Sequence, residues 1–462
     1  MKILLSHGYF LEEDLKEKAI MRPYAPLGIL YISAYLQENG FENEVFDTTF
    51  SQRKTLYEHL ENTQPDVVGL YVNLMTKVNI VQIVAFIKEK LPNAIVILGG
   101  PDVRFNADSY LKHRADFIVM GEGEVTMLEL VRKCRVRATD FHDVSGIAFK
   151  LNGEVKVTVE REKLKDIDQL PFPARNRIDF DPYLKAWRAA HGKNAMSIST
   201  MRGCPYTCKW CSRAVYGLSY RRRSPEKVAT EIRYIQEKYN PDTLWFVDDV
   251  FTISHKWLKT FRDILSANNI VISYECISRA DRMNEEVIQL LKETGCIRVW
   301  IGAESGSQKV IDLMERRVNV EQVRDMIKLT KAHGIEAGTF IMLGYPGETE
   351  EDIFETINHL KNSDPDHFTI TVAYPIKGTE LYEETESLHS KHLSWDESTD
   401  RQIDFQRTYP KKYYDYAVRH VISEVTFHRH KNKFQLVAAK HKIKSLLARA
   451  GMKVEKILNQ PN

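Results

Sequence analysis

Cysteine is scarce in this chain, and so are the patterns that would make it a structural residue. Six cysteines in 462 residues are too few for a disulfide framework, and three of them, Cys204, Cys208 and Cys211, crowd into eight positions. No Cys-x2-Cys pair stands near them to complete the usual zinc pattern, because Cys276 and Cys296 are distant and isolated. No apolar run approaches the length that spans a bilayer. A charge excess is missing as well. Lys and Arg number 65 against 63 Asp and Glu, and a net charge of +2 argues neither for nor against a nucleic-acid partner. Met1-Lys-Ile-Leu-Leu-Ser6 is too short, and too soon followed by Glu12-Glu-Asp-Leu-Lys16, to be read as a signal peptide. Free thiols without an export signal lead us to expect a reducing cytoplasm. The length suggests two to three domains, each large enough for its own core.

What is present is organised around Met201-Arg-Gly-Cys-Pro-Tyr-Thr-Cys-Lys-Trp-Cys-Ser212. Its Cys-x3-Cys-x2-Cys spacing suits a short loop around three corners of a four-iron cluster, whereas cluster sites more usually supply four cysteines. A fourth iron would then lack a protein ligand, free to bind a small molecule and pass it an electron. Zinc is the alternative reading of the same thiols.

The fold class read from the pattern is α/β. In residues 1–140 short apolar runs alternate with helical patterns, which predicts a parallel, helix-covered, Rossmann-like sheet. Its strands are read at Lys2–Ser6, Glu44–Asp47, Val67–Val72, Ala94–Leu98 and Phe117–Met120. Ligands of such sheets settle beyond the carboxyl ends of the strands, where Asn73 to Thr76, Gly99-Gly100 and Gly121 to Glu124 fall. Residues 141–192 read as a hairpin turning at Leu151-Asn-Gly-Glu154, then a linker broken at Leu170-Pro-Phe-Pro-Ala174. In residues 193–385 six strands alternate with helices: Ser197–Arg202, Thr243–Asp248, Val271–Ser278, Arg298–Glu304, Ala337–Leu343 and Phe368–Tyr374. Six strand–helix units predict a partial barrel, open at the side, with active residues at the C-terminal strand ends. Residues 386–462 read as a helical, basic extension.

The cysteine loop resembles the signature of the radical S-adenosylmethionine (SAM) family, through Arg202-Gly203 before the triad and Trp210 just before its last cysteine. The resemblance implies a [4Fe-4S] cluster on Cys204, Cys208 and Cys211. It also implies reductive cleavage of SAM to a 5′-deoxyadenosyl radical, and an electron donor such as flavodoxin or ferredoxin. The residues ending the barrel strands resemble the family's SAM-contacting motifs in type and order. Asp248 and Asp249 would meet the ammonium group, unless they cap the following helix. Arg279 would meet the carboxylate, unless it makes a rim salt bridge. Glu304 and Ser305 follow the fourth strand, with Glu304 facing the cavity. Gly344, in the Gly338–Gly347 stretch after the fifth, would let adenine approach the backbone.

Gly99-Gly-Pro101 and Gly121-Glu-Gly-Glu124, together with Tyr24-Ala-Pro-Leu-Gly-Ile-Leu30, resemble the cobalamin-binding domain that precedes many radical SAM barrels. That likeness implies cobalamin contacts at Pro26, Leu27, Asn73, Thr76, Gly99, Gly100, Gly121 and Glu122. The Asp-x-His-x-x-Gly motif that brings histidine to cobalt is absent, and His7-Gly8 does not replace it. Cobalamin is therefore expected without a histidine lower ligand.

The module order resembles the cobalamin-dependent branch that includes hopanoid methylases and the bacteriochlorophyll cyclase. It implies methylation of an unactivated carbon of a small or lipid-like substrate. Alternatives are a radical cyclase or oxidoreductase without methyl transfer, and a non-catalytic cobalamin-binding sensor. An RNA methylthiotransferase, and with it a nucleic-acid partner, is disfavoured because only Cys134 precedes Cys204. The tail around Phe427–Lys433 and Ala439–Arg449 reads as basic amphipathic helices. They suit either peripheral contact with the inner membrane face or a solvated cap on the barrel. Tyr413, Tyr414, Tyr416 and Trp395 either close the barrel's open side over substrate or pack a core.

Overall fold

The structure is a computed structural model, and it describes residues 1–389, 394–432 and 435–458. Its Cα packing divides the chain into two compact units. The first holds residues 1–205 and 212–245 with the described part of 393–401; the second holds 206–211, 246–392 and residues from 402 on.

In the first unit seven strands form one sheet: β1 (Ile3–His7), β2 (Glu44–Phe46), β3 (Val67–Tyr71), β4 (Ile95–Gly99), β5 (Phe117–Val119), β6 (Ile147–Leu151) and β7 (Glu154–Val157), in the order β2-β1-β3-β4-β5-β6-β7. The first five strands of that order are parallel, while β6 and β7 add an antiparallel edge. All five residues of β1 are buried, as a strand covered on both faces requires. The 2-1-3-4-5 order reverses direction between β1 and β3, which makes the crevice above those ends the expected ligand site. The β6–β7 hairpin turns at Asn152-Gly153, where both residues take positive φ, as a type I′ turn demands.

Four further strands follow: β8 (Ala195–Ile198), β9 (Met201–Arg202) and β10 (Arg221–Arg222) in the first unit, and β11 (Thr243–Phe246), whose last residue opens the second. The expected strand Ser197–Arg202 is therefore two strands. The chain turns at Ser199-Thr200 so that β9 can pair antiparallel with β10. In the second unit β12 (Tyr274–Ser278), β13 (Cys296–Glu304), β14 (Glu336–Leu343) and β15 (His367–Val372) pair in parallel and in chain order. Counting β8, β11 and β12 to β15, the six strands read from the sequence are all present.

The helices of the second unit begin where short polar side chains supply the missing acceptors. Ser254, Asn284, Asn319 and Thr349 each accept a backbone N–H of the first turn, and Thr349 forms a capping box with Asp352. The chain ends in the helices Lys411–His430 and Gln435–Leu458, which pack on each other. Lys433 lies outside the described residues. Tyr413 and Tyr414 are fully buried in the second unit, whereas Trp395 lies in the first. Trp395 packs on the helix Val103–Lys112, with its Nε1 donating to Asn106 at 3.1 Å. Tyr413 and Tyr414 thus take the core-packing role.

Candidate functional site

The cysteine loop springs from a short antiparallel stem, in which Arg202 faces Arg221 and Met201 faces Arg222. Cys204 continues it through a bridge to Leu218. Between them Gly203 has φ +84°, and a Cβ there would lie 2.3 Å from Ser219 Oγ, so only glycine fits. The stem is anchored by charge. Arg202 donates to Glu122 at 2.8 Å and to both carboxylate oxygens of Glu124, and Arg221 donates to the other oxygen of Glu122 at 2.6 Å. Burial raises the Glu124 carboxyl, and the Arg202 guanidinium more than reverses this, leaving it below the usual range. Glu122 also accepts from Leu164 N, so it is turned toward the stem.

In the second unit, residues 206–211 of the same loop are held at their middle. The backbone of Lys209 donates to Met314 O and accepts from Leu381 N. Its ammonium group lies 2.5 Å from Glu384, 3.3 Å from Glu380 and 3.6 Å from Glu315. Trp210 packs on Val310, Met314, Tyr345 and Leu381. Arg279 is wholly engaged beside Cys208. It donates to Asp281 at 2.8 Å, to Arg316 O at 2.8 Å and to Cys208 Sγ at 3.8 Å, and its guanidinium stacks 3.8 Å from the Tyr206 ring. It serves the loop as well as the strand end on which the sequence placed it.

None of the six cysteines is in a disulfide. Cys204 is half-buried, Cys208 buried and Cys211 exposed. Three cysteines outside any disulfide on one anchored loop are a donor set that suits an iron–sulfur cluster. Among the described residues, no three His, Cys, Asp or Glu side chains converge on a single-ion site.

Asp248 is buried, and Asp249 beside it is exposed, with protein on most sides. That surrounding protein, and then the Asp248 carboxylate, raise the Asp249 carboxyl above its ordinary value. Glu304 ends β13 at a register shift against β14 and takes φ +65°, a left-handed conformation that a non-glycine residue holds only where its surroundings fix it. Burial raises its carboxyl, against the pull of Arg316 and Arg279. Arg316 Nη1 stands 3.5 Å from Glu304, while Nη2 donates to Gly302 O at 2.7 Å and buried Nε has no hydrogen-bond partner among the described residues. Ser305 is buried, its hydroxyl 3.2 Å from that of Thr356. Gly344 has φ +78°, and its N–H donates to Glu348 Oε2 at 2.5 Å. Glu348 is fully buried, its Oε1 has no partner, and burial pushes its carboxyl up to about 8. Gly338 is a correction within the Gly338–Gly347 stretch. Its missing Cβ makes room for the Trp300 ring, 2.6 Å from where that atom would stand. Sequence reading missed Arg316 and Glu348, since neither ends a strand; a charged residue just past the motif glycines was the available signal for Glu348.

At the strand ends of the first sheet, Asn73 and Thr76 close a tight turn. Asn73 Oδ1 accepts from Met75 N and Thr76 N, and Thr76 Oγ1 accepts from Asn73 N. Gly100 has φ +119°, and a Cβ would lie 2.3 Å from Val72 O, so the β4 end passes flush against the β3 end. Gly99 is nearly clear, with only Val119 at 3.8 Å. Gly121 (φ +100°) would place a Cβ 3.6 Å from Val215 O. Pro26 and Leu27 are half-exposed at the start of the helix Leu27–Glu38, and nothing lies within 4 Å of a Cβ on Gly28. His7 is buried with both ring nitrogens engaged, Nε2 at 2.9 Å from Asp47 Oδ1 and Nδ1 at 2.9 Å from Thr48 Oγ1.

Residues 198–360 match the radical SAM superfamily, and residues 21–131 match the B12 binding domain. The chain is 29% identical over 366 residues to an uncharacterized methyltransferase of Pyrococcus horikoshii, covering 78% of each. It is 26% identical over 372 residues to the anaerobic magnesium-protoporphyrin IX monomethyl ester cyclase of Rubrivivax gelatinosus, covering 78% of this chain and 66% of that one. Among solved structures, the radical SAM methyltransferase TsrM of Kitasatospora setae, with cobalamin and a [4Fe-4S] cluster bound, superposes with a TM-score of 0.69. It shares 19% identity and covers 84% of this chain and 74% of its own, which is a likeness of fold.

Proposed function

We propose, for a chain that joins a B12 binding domain to a radical SAM domain, an enzyme that methylates an unactivated carbon of a small or lipid-like molecule. The observation that carries it is the anchored loop of three cysteines, none of them in a disulfide. When bound, the cluster, SAM and cobalamin would supply reductive cleavage of SAM to a carbon-centred radical and a transferable methyl group.

The chain's own residues position and shield. Cys204, Cys208 and Cys211 would hold the cluster. Arg279, with an N–H 3.8 Å from Cys208 Sγ, ties that sulfur to the end of β12. Lys209, clasped by three glutamates, fixes the loop's middle. Asp249 and Glu304 offer carboxylates for an ammonium or hydroxyl group. Arg316, whose Nε has no hydrogen-bond partner among the described residues, is the cation suited to a carboxylate. Asn73, Thr76, Gly99, Gly100 and Gly121, with Pro26 and Leu27, shape an edge that a large planar ligand can approach closely. With both nitrogens of His7 occupied, cobalamin would be held without a ligand from that histidine.

An electron donor of the flavodoxin or ferredoxin kind belongs to this reading, as does peripheral contact with the inner membrane face. Anaerobic reconstitution with iron, sulfide and cobalamin, then reduction with SAM, tests it. Bound corrinoid, iron and 5′-deoxyadenosine release are expected, and Ala at any one of the three cysteines should abolish release. Retained release in such a variant would refute the ligand assignment. The likeness to the cyclase favours a second reading, ring closure without methyl transfer. Product mass decides between the two, since only a methylated product is heavier than its substrate by one CH2.

A further inference from the structure

The last helix wears its large apolar side chains on the outside. Along Gln435–Leu458 the face packed inward carries small residues, Ala438, Ser445 and Ala448, together with Met452. Ser445 accepts its place there from the preceding helix, its Oγ lying 2.6 Å from Glu424 and 3.0 Å from His420 Nδ1. The opposite face carries Leu436, Ile443, Leu447, Val454 and Ile457, which recur at intervals of three, four and seven residues and so form one stripe along the helix. Leu436 is 89% exposed, Leu447 67% and Ile457 70%. An isolated exposed leucine needs no explanation, but a contiguous stripe of large aliphatics on a single helix marks an interaction surface.

The flanks of the stripe say what covers it. At 100° per residue Lys440 and Lys444 fall on one side and Lys453 on the other. All three are exposed, and no carboxylate pairs with them among the described residues. Lys442 and Lys456, by contrast, turn inward to Glu424 at 2.7 Å and Glu350 at 3.1 Å. The helix holds a single acidic residue, Glu455, which is half-buried. A second copy laid on this stripe would bring lysine flank against lysine flank with no carboxylate between them, which is repulsive. A bilayer containing anionic phospholipids supplies what the face lacks: an acyl layer for the aliphatic stripe and phosphates for the lysines, whose long stems reach from one to the other. The helix cannot cross that bilayer, because no described helix is long and apolar enough to do so.

We propose that Gln435–Leu458 lies in the plane of an anionic membrane surface, with Leu436, Ile443, Leu447, Val454 and Ile457 immersed and Lys440, Lys444 and Lys453 at the phosphates. This surface deepens the peripheral membrane contact of the proposed function and rests on that part of it, and because it is argued without the cysteine loop its failure is distinguishable from failure of the catalytic reading.

The test is flotation of the purified full chain with phosphatidylcholine vesicles, with and without phosphatidylglycerol. The chain should float only with the anionic vesicles, and the doubles L447S/V454S and K440E/K444E should each lower binding by roughly tenfold or more. Their melting temperatures should match the parent, since these side chains are exposed. Failure of the parent chain to float overturns the proposal, as does flotation unchanged in L447S/V454S. Sedimentation equilibrium supplies the remaining outcome: a parent dimer that L447S/V454S dissociates would make the stripe an interface between copies, and would also overturn it.

Discussion

The strand ends of the two sheets are built from opposite materials. In the first sheet they are glycine, a closed Asn73–Thr76 turn and half-exposed Pro26 and Leu27. Glu124 and Glu122 beside the cysteine stem are matched by Arg202 and Arg221, while Asp102, past the end of β4, is hydrogen-bonded to Tyr110 and Asn106 and raised by burial. In the second sheet three carboxyls at or just past the strand ends are raised by burial. Asp249 stands beside Asp248, Glu304 sits 3.5 Å from Arg316, and the Glu348 carboxyl is pushed up to about 8. Burying a carboxylate costs stability unless a partner offsets it. Arginine offsets it at the cysteine stem, and burial outweighs the offset at the second sheet's strand ends.

If that contrast is right, removing a charge should cost stability in the first unit far more than in the second. Arg202→Ala should have the largest effect, about 3–5 kcal/mol at neutral pH, because it leaves the Glu124 carboxylate buried without its main partner. Denaturant unfolding measures this. In the parent chain Glu124 contributes stability that is present above its unfolded pKa and lost as pH falls through the depressed folded one. In the variant the folded value is raised instead, so acidification should narrow the gap between the two. A loss under about 1 kcal/mol would mean the stem's ion pairs behave as surface pairs.

Much of the fold could be read because it rests on local signals. Six barrel strands, the Asn152-Gly153 hairpin and the helix starts at Ser254, Asn284, Asn319 and Thr349 all follow from apolar runs punctuated by turn or capping residues. The split of one expected strand into β8 and β9 was not legible, since it depends on pairing with Arg221-Arg222 about twenty residues downstream. The loop and its three thiols were readable from spacing alone. Arg316 was not, because its place beside Glu304 is set by folding, not by any motif. Gly338 misled for a similar reason: a missing side chain looks the same in sequence whether it admits a ligand or a tryptophan ring.

Glu348→Gln sharpens the contrast from the other side and should stabilise. The folded carboxyl, at about 8, lies above its unfolded value, so the neutral form is the one the fold accepts. Stability of the parent chain should fall as pH rises from the unfolded value to about 8 and level off above it. The amide keeps an acceptor for Gly344 N–H and cannot ionise, so the variant should lack this slope. At alkaline pH it should exceed the parent by roughly 3–5 kcal/mol, read as a higher denaturant midpoint. Parallel pH profiles would show that Glu348 ionises freely.

Asp249→Asn should have the smallest effect on stability and still matter for binding. The side chain is open to solvent and already disfavoured as an anion by its surroundings and by Asp248, so losing the charge should change unfolding by less than about 0.5 kcal/mol. If the raised carboxyls at the second sheet's strand ends serve a zwitterion, the same change should weaken SAM binding to the reconstituted protein by roughly tenfold or more, measured by calorimetry. The two readouts must separate for the contrast to hold. A variant that loses stability and keeps its affinity would place Asp249 with the paired charges of the first unit, and the difference between the two sets of strand ends would then be one of composition without consequence for binding.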